Sequence, residues 1–232
     1  GKNKVALFDG NYHGIHDAVL VAAHLESPRE RPANHPKSAG IPPAVLEQTM
    51  LLPYRSAAAF DLIREHEDEL AVVALEPVQS SNPRLDTQEW MLELEKVCKE
   101  CGVLLLLDEV ITGFRLAYGG IQERFGLSPD LVTYGKAIGG GAPIGAVGGR
   151  RDIMQVFGAG ALPPRLAGEE SPKRVRIFTG TTFQGNPLSM GAGVAALEEM
   201  KARQGEIYPY LEEQGNRLAA EVNAFARDEG YP

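Results

Sequence analysis

The chain has 232 residues, of which 44% are apolar, so one large domain with a sizeable core is expected and general disorder is excluded. The formal net charge is −8, and no run of Lys and Arg is long enough to follow a phosphate backbone, which argues against a nucleic-acid partner. No stretch approaches the length of a membrane span, and the first residues do not form a signal peptide. We therefore expect a cytoplasmic protein without membrane contact.

In chain order, short apolar runs predict buried strands at residues 5–8, 70–75, 103–107, 131–134 and 144–147. Helices are predicted at residues 57–66 after the cap Ser56, at 89–100 after a capping-box pattern that begins at Asp86, and at about 187–203 and 206–227. Residues rich in Pro, Gly and polar types predict long loops at 25–43 and 158–173. Strands that alternate with helices predict an α/β fold, with a mainly parallel sheet and helices on both faces. Ligands of such sheets sit at the carboxyl ends of the strands.

Cys98 and Cys101 have C-x-x-C spacing, but they close the helix that Gly102 ends. Because no second Cys or His pair lies nearby, we expect two reduced thiols rather than a zinc or redox site.

Asp108 and Glu109 follow the apolar run 103–107 directly. A carboxylate that is buried at such a strand end without a partner costs folding free energy. These residues are therefore expected to cap a helix, to be solvated at the strand end or to belong to a site. Lys136 follows the strand 131–134 and precedes Gly139–Gly141, where flexible backbone lets a ligand approach. It is either a surface lysine or a partly desolvated amine able to form an imine.

An acid and a lysine at neighbouring strand ends match the demands of pyridoxal phosphate (PLP): the acid pairs with the protonated pyridine nitrogen and the lysine holds the aldehyde carbon. A nucleotide site at Gly139–Gly141 is the weaker interpretation. The glycines belong to no G-x-G-x-x-G that opens a helix, and no Walker Lys-Ser/Thr pair is present.

The motifs DEVITGFR (108–115), PDLVTYGKAIGGG (129–141) and GTTFQGNP (180–187) together resemble the class III aminotransferases, which are PLP enzymes of fold type I. FDGNYHG (8–14) and EPVQS (76–80) add to the resemblance, which spans essentially the whole chain. Within the class, the chain is most similar to glutamate-1-semialdehyde aminomutase and to aminotransferase domains embedded in polyketide or non-ribosomal peptide synthases.

The resemblance implies a role for each matching residue. Lys136 would be the Schiff-base lysine and would also move the proton during catalysis, and Asp108 would pair with the pyridine nitrogen. Val110 would pack on one face of the ring, and Tyr12, with His13 beside it, would stack on the other.

Two further residues are implied by the same resemblance. Glu76 would be a carboxylate near Asp108. Thr182 would donate its hydroxyl to the phosphate of the PLP that is bound in the partner subunit, so a homodimer with shared sites is expected. Taken singly, Tyr12 and His13 are equally typical of a turn, Glu76-Pro of a strand exit and Thr182 of a loop.

The resemblance also implies how the chain is divided. Residues 1–203 would be the PLP-binding large domain, with the family's phosphate loop expected upstream of Gly1. Residues 204–232 would be a helix that leads into a small C-terminal domain, most of which would lie beyond this chain.

The expected activity is transfer of an amino group from a small amino-acid donor to a keto or aldehyde acceptor. Ser81 and Ile111 differ from the Glu and Gln of many ω-aminotransferases and favour the aminomutase-like branch. EPVQS (76–80) and GIPP (40–43) favour the synthase-embedded domains, whose acceptor would be a β-ketoacyl chain on an acyl carrier protein. An intramolecular aminomutase and a non-catalytic scaffold of the same fold remain as alternatives.

Overall fold

The computed structural model describes residues 2–157, 177 and 179–231. The strands are β1 (Lys4–Phe8), β2 (Val21–Ala23), β3 (Asn34–Pro36), β4 (Thr49–Leu52), β5 (Leu70–Leu75), β6 (Leu104–Asp108), β7 (Leu131–Gly135) and β8 (Gly145–Gly149). The α-helices are α1 (Pro43–Glu47), α2 (Ala58–Glu65), α3 (Gln88–Glu100), α4 (Gly120–Phe125), α5 (Arg151–Met154), α6 (Pro187–Ala202) and α7 (Gln204–Asp228). Short 3-10 turns cover Asp17–Val19, Lys136–Gly139 and Gln155–Phe157.

In the part of the chain that the structure describes, six strands form one sheet in the order β4-β1-β5-β6-β7-β8. The neighbours from β4 to β7 pair in parallel, and β8 runs antiparallel to β7. β2 and β3 form a separate antiparallel pair. The predicted mainly parallel sheet is confirmed, and the carboxyl ends of β1, β5, β6 and β7 lie along one edge.

The main core lies between the sheet and helices α2 and α3. Its largest side chains are all but excluded from solvent: Phe8, Leu52, Ile63, Leu70, Leu75, Met91, Leu94, Leu105, Leu107 and Ile121. Burial of each such side chain contributes about 1.5–3 kcal/mol, so this cluster is the main source of stability for the sheet. The apolar stripe of α3 supplies Met91, Leu94, Val97 and Cys98, at helical spacing.

The opposite face of the sheet carries a smaller buried cluster of Leu7, Val21, Leu51 and Ala74. Leu46 of α1 and Val19 of the first 3-10 turn pack against this cluster. Helical residues therefore contact both faces of the sheet, but the buried cluster on the face of α2 and α3 is much larger.

Several elements differ from the predictions. The predicted loop 25–43 contains β3 and ends at the first residue of α1. Five further elements were not predicted: β2, β4, α1, α4 and α5. The apolar run of β4 is short and becomes a strand by pairing with β1. The predicted loop 158–173 lies outside the described residues.

The capping-box prediction at Asp86 is wrong. Thr87 is the N-cap residue of α3 and makes no side-chain capping bond. The Asp86 carboxylate instead accepts hydrogen bonds from Arg84 and Arg55, which draw it away from the helix end. Asn186, by contrast, caps α6 by accepting from the backbone N–H groups of Leu188 and Ser189.

Both thiols at the end of α3 are free. Cys98 is buried and Cys101 is half-buried. Burial raises the pKa of the Cys98 thiol to about 12, so this side chain behaves as an apolar core residue. No helix among the described residues is both long and apolar enough to cross a membrane.

Candidate active site

The parallel sheet brings four polar segments to one edge. Residues 11–13 follow β1, Glu76 follows β5, Asp108 ends β6 and Lys136 follows β7. In sheet order these are four consecutive strands, so residues far apart in the sequence become neighbours.

The Asp108 carboxylate is held by donors from three directions. His13 Nδ1 lies 2.7 Å from Oδ2, and the Val110 backbone N–H and the Thr133 hydroxyl each donate to Oδ1 at 3.1 Å. The Asp108 side chain is 12% exposed. Burial works to raise its pKa, but the hydrogen bonds from His13, Val110 and Thr133 outweigh burial and hold the pKa below its ordinary value. The acid is therefore kept ionised inside the fold.

His13 is as enclosed as its partner, with 7% of its side chain exposed. Because an ionised carboxylate only accepts, Nδ1 carries the proton of this hydrogen bond. The other ring nitrogen, Nε2, is buried and has no hydrogen-bond partner among the described residues. A buried polar atom of this kind needs a partner, such as water or a polar ligand.

Glu109 points away from Asp108 and caps a helix. It is fully buried, and its carboxylate accepts from the Thr112 hydroxyl at 2.6 Å and from the backbone N–H groups of Ile121 and Gln122 at 3.0 Å. The last two groups belong to the first turn of α4. Of the interpretations left open for this acid pair, the helix cap therefore applies to Glu109, and the role of Asp108 in a site stays a prediction.

Glu76 fixes the segment that carries Tyr12. It is 3% exposed, and its carboxylate accepts from the Tyr12 backbone N–H at 2.9 Å and from the Ser80 backbone N–H at 3.3 Å. Among the described contacts, Glu76 makes no hydrogen bond to Asp108. Its link to that acid runs through the adjacent residues Tyr12 and His13. Tyr12 is 53% exposed, so its side chain is accessible for stacking on a ligand.

Lys136 is exposed at the end of β7 and has a left-handed backbone, with φ +45°. A non-glycine residue pays about 1–2 kcal/mol for this conformation, and such strain is concentrated at functional sites. Val110 lies beside the same strand end, because a Cβ added to Gly135 would be 3.2 Å from Val110 Cγ1. The turn Lys136–Gly139 packs closely on α6, where a Cβ added to Gly193 would be 3.0 Å from Ile138 O.

Thr182 is not joined to this cluster by any contact among the described residues. It is exposed in a turn of residues 182–185 that precedes α6. Its expected position against the phosphate of a partner subunit remains a prediction.

Sequence reasoning missed Thr133, Asn11 and Ser80. Thr133 lies opposite Asp108 in the register of β6 and β7, a signal that exists only once the strand order is known. Asn11 is 3% exposed; its Oδ1 accepts from Glu76 N at 3.4 Å, and its Nδ2 has no partner among the described residues.

Residues 1–228 match the model of the aminotransferase class-III family. The chain belongs to this family. It is 40% identical over 231 residues to glutamate-1-semialdehyde 2,1-aminomutase from Methanosarcina acetivorans, a match that covers 99% of this chain and 50% of the relative.

Solved structures agree with the family and confirm fold type I. An omega-transaminase from Sphaerobacter thermophilus superposes with a TM-score of 0.83 at 34% identity, over 100% of this chain and 50% of the other. A transaminase with PLP bound matches with a TM-score of 0.69 at 30% identity, over 86% of this chain and 44% of the other. The chain thus spans about half the length of the relatives that it matches.

The cofactor of this family is PLP, and the residues at the strand edge fit it. The cofactor needs an ionised acid for its pyridine nitrogen and an amine for its aldehyde. Asp108 would supply the first from a buried position, and Lys136, which directly follows the adjacent strand β7, would supply the second. At the same edge, His13 Nε2 and Asn11 Nδ2 are buried and have no hydrogen-bond partner among the described residues, so a polar ligand bound there would have groups to pair with.

Proposed function

We propose that this chain is the cofactor-binding part of a PLP-dependent aminotransferase that moves an amino group from an amino-acid donor to a keto or aldehyde acceptor. One observation carries the proposal: the ionised Asp108 is hydrogen-bonded to Thr133, which stands three residues before Lys136 on the same segment of chain. PLP, when bound, supplies the electron sink that such a transfer requires.

The residues of the chain have distinct roles in this proposal. Asp108 pairs with the protonated pyridine nitrogen, and His13 holds that carboxylate in place. Lys136 anchors the cofactor covalently and carries a proton to and from the substrate carbon. Val110 and Tyr12 enclose the ring from its two faces, and Glu76 holds the backbone of Tyr12.

The proposal is tested by adding PLP to the purified protein and recording visible absorbance, then reducing with borohydride and mapping the modified peptide. We expect a coloured protein with the label on Lys136, and neither colour nor label in Lys136→Ala. Lys96→Ala is the matched control, because Lys96 is an exposed lysine of α3 that forms an ion pair with Glu93 on the same helix. A label on another lysine, or an unchanged Lys136→Ala spectrum, would remove Lys136 from its role and favour the scaffold alternative.

A second candidate is an intramolecular aminomutase. It is favoured by the relatives of 38–41% identity that are named glutamate-1-semialdehyde 2,1-aminomutase, and by Ser81 and Ile111. An aminomutase exchanges groups within one substrate and needs no second amino acid. Turnover of glutamate 1-semialdehyde by the PLP-loaded protein without an added donor would establish it, whereas strict dependence on a donor would establish the aminotransferase.

The finer proposal, that the acceptor is a β-ketoacyl chain on an acyl carrier protein, depends on the sequence of residues 76–80 and 40–43 alone. It predicts amination of a carrier-loaded ketoacyl chain in preference to the free acid.

We also propose a homodimer in which Thr182 binds the phosphate across the interface, and a division into residues 1–203 and 204–232. Mixing Lys136→Ala with Thr182→Val subunits tests the shared site, because one of the two sites in each mixed dimer would carry both substitutions and the other neither.

A further inference from the structure

Thr133 lies beside Asp108 on the neighbouring strand of the sheet. The two residues are partners in the parallel register of β6 and β7, and the Thr133 hydroxyl donates to Asp108 Oδ1 at 3.1 Å. The backbone of Thr133 is tied to the same strand end, because its carbonyl accepts from the Glu109 N–H at 2.9 Å. Thr133 is thus attached to both residues of the Asp108–Glu109 pair.

The hydrogen bonds on the carboxylate divide between its two oxygens. Thr133 and the Val110 N–H both donate to Oδ1, whereas His13 contacts Oδ2. Donors on both oxygens fix the plane of the carboxylate as well as its position. Val110 can supply only a backbone donor and His13 comes from the segment after β1, so Thr133 is the side-chain donor that comes from the strand leading to Lys136.

We infer that Thr133 is a positioning residue that fixes the Asp108 carboxylate relative to β7 and hence relative to Lys136. This inference rests on the proposed function, in which the acid and the amine hold opposite ends of one cofactor ring. Two groups that share a rigid ligand must keep their separation, and small displacements of such groups are costly. A valine at this position would have nearly the same shape but would leave Oδ1 with the Val110 donor alone.

The first test needs no cofactor. The Asp108 carboxyl carbon is titrated by 13C NMR in the PLP-free protein, for the wild type, Thr133→Val and Thr133→Ser. Loss of a donor to the charged form raises the titration midpoint, so Thr133→Val should titrate at higher pH and Thr133→Ser should stay close to the wild type. Thr49→Val is the matched control, because Thr49 is a buried threonine on β4 whose hydroxyl donates, among the described residues, to the carbonyls of Ala18 and Val45 and not to a carboxylate.

The second test measures PLP binding and the pH dependence of the visible absorbance of the loaded protein. Loss of a hydrogen bond to a charged group weakens any equilibrium that depends on that charge. Because Val110 and His13 remain, we expect Thr133→Val to weaken PLP binding about three- to tenfold, and Thr133→Ser and Thr49→Val to change it less than about twofold. Thr133→Ala serves as a second hydroxyl-free variant if the valine does not fold.

Equal Asp108 titration in the wild type and Thr133→Val, or a Thr133→Ser variant as impaired as Thr133→Val, would overturn the inference, since the hydroxyl would then not be the active group. The two tests also separate the inference from the proposed function. If the wild type takes up no PLP, the proposed function fails, and the Asp108 titration still decides whether Thr133 holds the carboxylate.

Discussion

His13 Nδ1 lies 2.7 Å from Asp108 Oδ2, although the two residues are 95 positions apart in the chain. The contact spans the end of β5, because β1 and β6 are the neighbours of β5 on either side. Both side chains are nearly excluded from solvent, where a charge-assisted hydrogen bond is strong and a lone charge is costly. Four predictions follow from this bond and from the acids around it.

The first prediction concerns His13. His13→Phe keeps a planar ring but removes the donor to Asp108, so we expect PLP to bind about tenfold more weakly, as for loss of a hydrogen bond to a charged group. Equilibrium dialysis followed by fluorescence of the bound cofactor measures the change. His35→Phe is the control, because His35 is exposed and packs edge-on against His24. Equal affinity in the wild type and His13→Phe would mean that the contact does not serve the cofactor.

The second prediction separates the two adjacent acids. Asp108→Asn should lose cofactor binding, because a neutral amide no longer stabilises the protonated pyridine nitrogen. Glu109→Gln should instead lose about 1–3 kcal/mol of unfolding free energy while it still binds PLP, because the amide puts a donor against the N–H groups that start α4. Urea unfolding and visible absorbance are measured on both variants. The reverse pattern would exchange the roles given to the two residues.

The third prediction concerns the glycine that contacts Glu109. Gly120 has φ +73°, and a Cβ added there would lie 2.4 Å from Glu109 Oε2. Gly126 has nearly the same φ of +72°, but no atom of the described residues lies within 4 Å of its added Cβ. Gly126→Ala should therefore cost only the backbone conformation, about 1–2 kcal/mol, and Gly120→Ala about 1–3 kcal/mol more. Similar unfolding free energies for the two variants would show that Glu109 is not packed against Gly120.

The fourth prediction is that the charge of Asp108 makes the free energy of unfolding depend on pH. Its pKa is lowered in the folded protein because the donors outweigh burial, so the folded state favours the ionised form. The resulting stabilisation is complete above the ordinary carboxyl pKa of about 3.9 and is lost as the pH falls through the lowered value. The difference in unfolding free energy between the wild type and Asp108→Asn should therefore shrink on acidification below about pH 4.

Asp61→Asn is the control for this acid titration, since the Asp61 side chain is 78% exposed and lies 3.6 Å from Arg64. Exposed pairs of this kind contribute little, so the difference between the wild type and Asp61→Asn should change little over the same range. A constant difference between the wild type and Asp108→Asn would show that folding does not depend on the charge of Asp108.

Much of the fold was accessible from local patterns. The apolar runs at 5–8, 70–75, 103–107 and 131–134 became adjacent strands of one sheet. A short apolar run predicts a buried strand whatever position that strand takes in the sheet, so these strands could be predicted without knowledge of the strand order. Two of the elements that were missed, β4 and α4, depend on contacts with distant parts of the chain. β4 forms by pairing with β1, and α4 begins where the Glu109 carboxylate accepts its first N–H groups.

The sequence by itself determined which chemical groups stand at the strand ends: an acid at the end of β6, a lysine after β7 and an aromatic–histidine pair after β1. It could do so because the family's motifs keep their order along the chain, and each is a local string of residues. Only the tertiary structure decided which groups meet. Asp108 and Glu109 differ by one position, yet one contacts His13 and Thr133 and the other caps α4. The physical reason is that successive strand residues point to opposite faces, while strand order and register, set by packing of the whole sheet, choose the partners on each face.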